Sequence, residues 1–446
     1  MNGVQIPGTA WRQLCLLLSN RAAILAVNVA TGIITARLLN PGGRGELAAI
    51  ILGPLFLSGL ATVGLPTALI FHLRSRQGRE DVLVASALTL SAGLGLLAAV
   101  VGWWVMPLWL VQQPAAVVTM AQLFVFATPI SSIVLVGRAA LEAQNRFSTS
   151  SGSLLLSSAL TLIVILLLAG AGTLTPTTAA WAYIATGLAP LAWILISLGS
   201  LYRLRWSGFR TASRKLLHYG GRSYGADLSA TLAQYTDQAL VVLLLRPEAM
   251  GVYVVALSLA RILNILHSSV AVMLFPRLVT LPPGERVAFT GHVARVSTLV
   301  SVVAGAAMAA AGPLLLRLAY GPAYAEGALL LSILVCEVVI GGLTYVLLQP
   351  LLVVDRPGVV TIIQVVGLLA CIPMLLVFVP AFGLEGAGLA LLLATVLRLL
   401  LAICAYPLVL KVAVPRPWMS RAELAELARH AGGRWQALRG AGAPAS

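Results

Sequence analysis

The sequence predicts an all-α, polytopic membrane protein with twelve transmembrane helices. Composition is the first observation behind this: of 446 residues, 59% are hydrophobic and only 10% charged, where soluble domains carry about 25% charged residues. The second is that apolar runs of about 20 residues recur from end to end. The third is that no polar stretch is long enough to form a separate soluble domain.

The spans read as 13–37, 47–73, 82–110, 115–142, 150–171, 177–202, 221–245, 249–276, 289–318, 326–353, 358–379 and 384–411. Proline and glycine punctuate the gaps, as in NPGG at 40–43, QQP at 112–114, LPPG at 281–284 and YGP at 320–322. The first apolar run lacks a short core followed by a small-residue cleavage site, so it reads as a span and not as a signal peptide.

Lys and Arg set the orientation. With the N-terminus inside, the loops 74–81, 143–149, 203–220, 277–288 and 354–357 and the tail are cytoplasmic. Twenty-one of the 29 basic residues then fall on that side, with Arg12 and the membrane-flanking Arg222 and Arg295 included. Only Arg37, Arg44, Arg246 and Arg317 fall on the other, while Arg21, Arg138, Arg261 and Arg398 lie within spans. This is a positive-inside distribution with both termini cytoplasmic. It also explains the net charge of +15 without nucleic acid as a partner. In the tail, SRAE at 420–423 is a capping box, with Ser420 as N-cap and Glu423 reaching back. A short amphipathic helix with Leu424 and Leu427 is expected there, lying on the inner membrane face.

The chain also carries an internal repeat. Residues 38–50 read LLNPGGRGELAAI and residues 244–256 read LLRPEAMGVYVVA; both fit L-L-x-P-x-x-x-G. Pro41 and Pro247 are 206 residues apart, as are Gly45 and Gly251. PLWL at 107–110 echoes PLLL at 313–316, and Arg146 echoes Arg356, at similar offsets. The expected organisation is a six-helix lobe at 1–202, a basic cytoplasmic linker at 203–220, a second six-helix lobe at 221–412 and a basic tail at 413–446. Six is even, so the two lobes share one orientation, as in parallel-repeat transporters with a central site.

Charges inside the bilayer are costly, about 2.5–3.5 kcal/mol each on insertion scales, and they usually face a cavity. Arg21 lies eight residues past the start of its span, ~12 Å at 1.5 Å per residue, near the middle of the membrane. Asn28 shares its azimuth, with Thr35 close behind. In the seventh helix Ser223, Asp227, Thr231, Gln234 and Gln238 form one stripe with Asp237 at its edge; in the eighth, Arg261, Asn264 and Ser268 share a face. Arg138 and Arg37 sit about a turn from a helix end, where snorkelling and function are both open. The candidate cavity residues are therefore Arg21, Asn28, Arg261, Asn264, Arg398, Arg138 and Gln234. Asp227, Asp237 and Glu337 are candidates for pairing with a cavity arginine, relaying a proton or holding a sodium ion. For a single Ser or Gln in such a stripe interhelical packing is the commoner role, whereas for Arg21 and Arg261 a packing role would not need a full charge.

The remaining polar residues read more simply. His72 and His218 lie beside loops and are expected at the interface, and His267 is expected to be a packed polar residue. Trp103, Trp104, Trp109, Trp206 and Trp418 fit an interfacial aromatic belt. Cys15, Cys336, Cys371 and Cys404 have no metal-like spacing and no disulfide is expected. There is no H-E-x-x-H, G-x-S-x-G or phosphate-binding P-loop, so neither an enzyme nor a cofactor is expected.

ARLLNPGGRGELAAI at 36–50, LEAQNRF at 141–147, YTDQALVVLLLRPEAMGVYVVA at 235–256, LFPRL at 274–278 and LVVDRPG at 352–358 together resemble the polysaccharide (Wzx-type) flippases. That group belongs to the superfamily that also holds multidrug-extrusion antiporters and lipid II flippases (the MOP exporters). The resemblance spans roughly 13–412; lipid II flippases usually carry two further helices, which are not among the twelve spans expected here. It implies a MATE-like fold, two six-helix lobes in a V around a central cavity, and alternating access. The implied substrate is an undecaprenyl-diphosphate-linked oligosaccharide, moved from the cytoplasmic to the outer leaflet of a bacterial inner membrane. Cavities in the group are cationic, which Arg21 and Arg261 match. Proton or sodium coupling, membrane lipids and polysaccharide assembly enzymes are the other partners it suggests. A cation antiporter on the same fold is the competing reading, and it predicts a cavity dominated by acids.

Overall fold

The computed structural model describes residues 8–75, 79–354 and 356–415. The expected tail helix with its Ser420 capping box, and Trp418, lie outside the described residues. Every regular element among those described is helical: α1 (Gly8–Ala61), α2 (Leu65–Arg74), α3 (Glu80–Trp109), α4 (Ala115–Phe124), α5 (Thr128–Ala143), α6 (Phe147–Gly170), α7 (Pro176–Leu201), α8 (Phe209–Leu244), α9 (Pro247–Arg261), α10 (Asn264–Thr280), α11 (Pro283–Leu315), α12 (Ala328–Val353) and α13 (Pro357–Ala405). Among the described residues nine helical segments are long and apolar enough to cross a membrane. The chain is thus a multi-pass membrane protein.

The boundaries differ from the expected spans for local reasons. The first two spans merge into α1, which is interrupted only at Asn40, with φ 57° and ψ 174°. Asn tolerates a left-handed φ, and the Pro41 that follows suits the first position of a helix, where its missing N–H costs nothing. The last two spans merge likewise into α13, broken at Gly383 with φ 60° and ψ −127°, a conformation open essentially to glycine. The span expected at 47–73 is instead divided by a turn at Thr62–Gly64, where Val63 and Gly64 both have positive φ. The span expected at 249–276 is divided between α9 and α10. The turn of α8 begins at Phe209, so more than half of the expected 203–220 linker is helix. At the start of α7, Thr175 accepts from the Thr178 N–H while the Thr178 hydroxyl accepts from the Thr175 N–H, with Pro176 at the first helical position.

The chain divides into two compact units. The first comprises the residues up to Ile262 with Ala309–Leu334 and Gln364–Ala394. Its core is built from buried Leu, Val and Ala of α2, α3, α5, α7 and the start of α8, including Leu65, Leu69, Val84, Leu141 and Leu198. In the same unit the repeated motifs meet: a β-carbon at Gly45 would fall on the Pro247 carbonyl, and one at Gly251 on the Pro41 carbonyl. The second unit comprises Leu263–Met308, Val335–Ile363 and the chain from Thr395 onward. Leu274, Leu278, Val346 and Tyr406 pack there, and the Tyr406 hydroxyl donates to the Leu347 carbonyl at 2.9 Å.

Candidate functional site: a hydroxyl-lined cavity with a cationic edge

Within the first unit, α1, α5, α6, α7 and α8 enclose a cavity of about 600 Å³, inside the roughly 300–1,000 Å³ range of small-molecule sites. Most of its wall is apolar. Its polar groups are Ser58, Ser131, Ser157, Thr231, Gln234 and the tyrosines Tyr183 and Tyr235, and its one charged lining residue is Arg138. Gln234 Nε2 donates to the Tyr235 hydroxyl at 3.2 Å. Tyr235 stands edge-on to Phe56, which fixes that wall. Among the described residues no Asp or Glu lines the cavity.

Arg138 is held on α5 by its own surroundings. Its Nε donates to Ser150 Oγ at 3.1 Å and its Nη2 lies 3.5 Å from Glu142 Oε1. Ser150 in turn donates to Glu142 at 2.7 Å. Arg21 on α1 is exposed and close enough to Arg138 to act on it electrostatically. The preceding Asn20 donates to Ser151 Oγ at 3.2 Å, tying that stretch of α1 to the start of α6. Two guanidinium groups against one carboxylate leave this edge net positive. Arg suits such a place, because it stays charged and binds phosphate oxygens through two parallel N–H groups.

The other predicted residues are distributed more widely. Arg261 donates to Asp237 Oδ2 at 3.0 Å, and the buried Tyr253 hydroxyl donates to the same oxygen at 3.0 Å. That Arg is therefore charge-balanced. Asp227 accepts the Thr67 hydroxyl, with its two oxygens at 2.9 and 3.0 Å. Asn28 is exposed and outside the cavity lining. In the second unit, Thr395 donates to Glu337 at 2.7 Å while accepting from Arg398 at 2.6 Å, and Arg398 lies 3.8 Å from Glu337. Asn264 is exposed at the first residue of α10. His267 is buried against Ser301 at 3.0 Å, as a packed polar residue should be.

Two of the polar residues near span ends, His72 and Arg44, are buried within the protein. Trp109 donates its indole N–H to the Ala239 carbonyl at 2.7 Å, so it ties α3 to α8 within the unit. The cavity residues that sequence reasoning missed are Ser58, Ser131, Ser157, Tyr183 and Tyr235. The serines and Tyr183 are small clusters or single hydroxyls in apolar helices, a pattern that ordinary packing produces as often, and Tyr235 adjoins Gln234 on the polar helix α8.

Comparison with known proteins agrees with this architecture. A family model described as "Polysaccharide biosynthesis protein" matches residues 34–329. No functionally curated protein matches the chain in sequence. Among solved structures, the lipid II flippase MurJ in its inward closed conformation aligns with a TM-score of 0.72 at 13% identity, over 90% of this chain and 88% of that one. An inward-facing multidrug resistance MATE family transporter of the MOP superfamily aligns at 0.69 and 15% identity, over 88% of this chain and 96% of that one. A MOP superfamily transporter from Pyrococcus furiosus, described as having a binding pocket of reversed polarity, aligns at 0.56 and 14% identity, over 87% and 92%. The fold is that of the MOP superfamily.

Proposed function

Because the chain belongs to the polysaccharide biosynthesis protein family, we propose that it is a flippase for a lipid-linked oligosaccharide, of the undecaprenyl-diphosphate kind. It moves this substrate from the cytoplasmic to the outer leaflet of a bacterial inner membrane by alternating access between its two repeats. The observation that carries the reading is the chemistry of the cavity: hydroxyls and an amide along its wall, Arg138 in its lining with Arg21 of α1 near that arginine, and no carboxylate in its described lining. Hydroxyls and an amide suit a neutral sugar, and paired cations offset the desolvation of a diphosphate. The prenyl tail can remain in lipid. A cavity of about 600 Å³ fits the diphosphate and the nearest sugar better than a long glycan.

In this reading both termini are cytoplasmic, which the 21-to-4 basic asymmetry supports. Asp227, Asp237 and Glu337 are the candidate sites for a coupling proton or sodium ion. Cation antiport would call for acids in the cavity, whereas its one charged lining residue is Arg138. The test is complementation of a host lacking its own polysaccharide flippase, scored by surface polysaccharide. Restoration by wild type with loss in Arg138→Ala and Arg21→Ala, at matched membrane levels, supports the proposal. Arginine variants as active as wild type, or resistance to cationic drugs without polysaccharide export, overturn it.

A further inference from the structure

A second cleft in the first unit lies away from the cavity, where the connection between α7 and α8 crosses the start of α3. Two side-chain anchors hold that connection down. The Arg203 N–H donates to Asp81 Oδ1 at 3.2 Å, and Trp206 Nε1 donates to Thr89 Oγ1 at 3.2 Å. The chain then turns at Gly208, with φ 93°, and enters α8. Two adjoining hollows of about 410 and 250 Å³ open here and share Arg79, Val82 and Gly208. Arg79, Arg205 and Lys215 bring three cations to them, and the one acid, Asp81, is already engaged by the Arg203 N–H. The first turn of α8, whose helix dipole favours an anion, lies on the same wall.

The decisive residue is His72 of α2, which lines the smaller hollow. It is only 8% exposed, and neither ring nitrogen has a hydrogen-bond partner among the described residues. Its ring is fixed edge-on against Phe71 and Tyr219, at 5.3 and 5.6 Å between centroids. A buried imidazole, held in place with both nitrogens unpaired, requires a polar group to meet it.

We propose that this cleft binds the phosphate of an anionic lipid head group. Trp206 identifies the lipid as the source: the residue is 58% exposed and bonded to Thr89 within a membrane-length apolar helix, so it faces the bilayer. The cations of the cleft adjoin the polar start of that same helix, at Arg79 and Asp81, where the span reaches the depth of the lipid phosphates. Naming the leaflet as cytoplasmic rests on the orientation proposed above; phosphate binding does not.

The test titrates the purified full-length protein, in a non-ionic detergent, with dihexanoyl phosphatidic acid. Dihexanoyl phosphatidylcholine and inorganic phosphate are titrated in parallel. The expected result is saturable one-site binding of phosphatidic acid, weakened about tenfold or more by Arg79→Ala and by Lys215→Ala. Arg210→Ala, which removes the same charge from the same helix end but outside the cleft, leaves binding unchanged. Melting curves confirm that all three variants fold. Equal binding by wild type, R79A and K215A overturns the site, as does equal weakening by R210A. Inorganic phosphate or the choline lipid binding as tightly as phosphatidic acid overturns the anionic-lipid assignment.

Discussion

Gly45 and Gly251 stand face to face, each against the proline carbonyl that opens the other's helix: Gly45 against Pro247, Gly251 against Pro41. These are the two copies of L-L-x-P-x-x-x-G, 206 residues apart. Close backbone approach of this kind supports Cα–H···O contacts and tight van der Waals packing between membrane helices. The obstacle to any side chain is a backbone carbonyl, which cannot swing aside. Gly45→Ala and Gly251→Ala should each lower stability by about 1–3 kcal/mol, the range for overpacking, read as a drop in melting temperature in detergent. Gly32→Ala, with open space around it, should leave the melt unchanged. Wild-type melting of both motif variants would contradict the crossing.

Arg261 and Asp237 behave as one unit. Asp237 is 6% exposed, and its second carboxylate oxygen has no hydrogen-bond partner among the described residues. Arg261→Ala should therefore cost about 3 kcal/mol, the low end of the range for breaking a buried pair, because its side chain is a third exposed. The double variant Arg261→Met with Asp237→Leu should recover most of that loss. A double-mutant cycle in thermal unfolding measures the coupling. Strict additivity would mean that the pair is not one unit.

In the second unit, Thr395 bridges Glu337 and Arg398 with one hydroxyl. Thr395→Val keeps the shape and removes the bridge. The expected loss is about 1–2 kcal/mol, near that of an ordinary to charge-assisted hydrogen bond. Thr395→Ser should restore it. A valine variant with the wild-type melt would show that the direct Arg398–Glu337 approach suffices.

Val63 has φ 44°, a conformation that costs a β-branched residue about 1–3 kcal/mol. Val63→Gly should thus leave the melt unchanged or raise it. The same change at the buried Val84 of α3 should lower it. A fall at Val63 comparable to that at Val84 would show that its side-chain packing outweighs the backbone conformation.

Much of the fold was legible because membrane insertion writes itself into composition. Runs of about 20 apolar residues announce spans, and Asn40–Pro41 and Gly383 mark where long helices break. The repeat was legible too, since Gly45 and Gly251 kept their spacing. The ends and interruptions were harder: an apolar stretch such as 47–73 gives no sign that Thr62–Gly64 leaves the helix. The site was half legible. Arg138 and Gln234 stood out because polar groups are rare in spans, whereas Ser131, Ser157 and Tyr183 did not, since the same residues serve packing elsewhere. Pairing was also hidden. Nothing in the sequence distinguishes Arg261, balanced by Asp237, from Arg21, which adds its charge to that of Arg138.

A largely apolar cavity with hydroxyls on its wall and Arg138 in its lining is proposed to carry an anionic lipid-linked sugar. The most direct measurement is translocation of an undecaprenyl-diphosphate-linked oligosaccharide in proteoliposomes, comparing wild type with Arg138→Lys and Arg138→Ala. The prediction is transport by wild type, partial transport by the lysine variant, which keeps the charge but loses the bidentate geometry, and about tenfold or greater loss in the alanine variant. Transport undiminished in Arg138→Ala would contradict it.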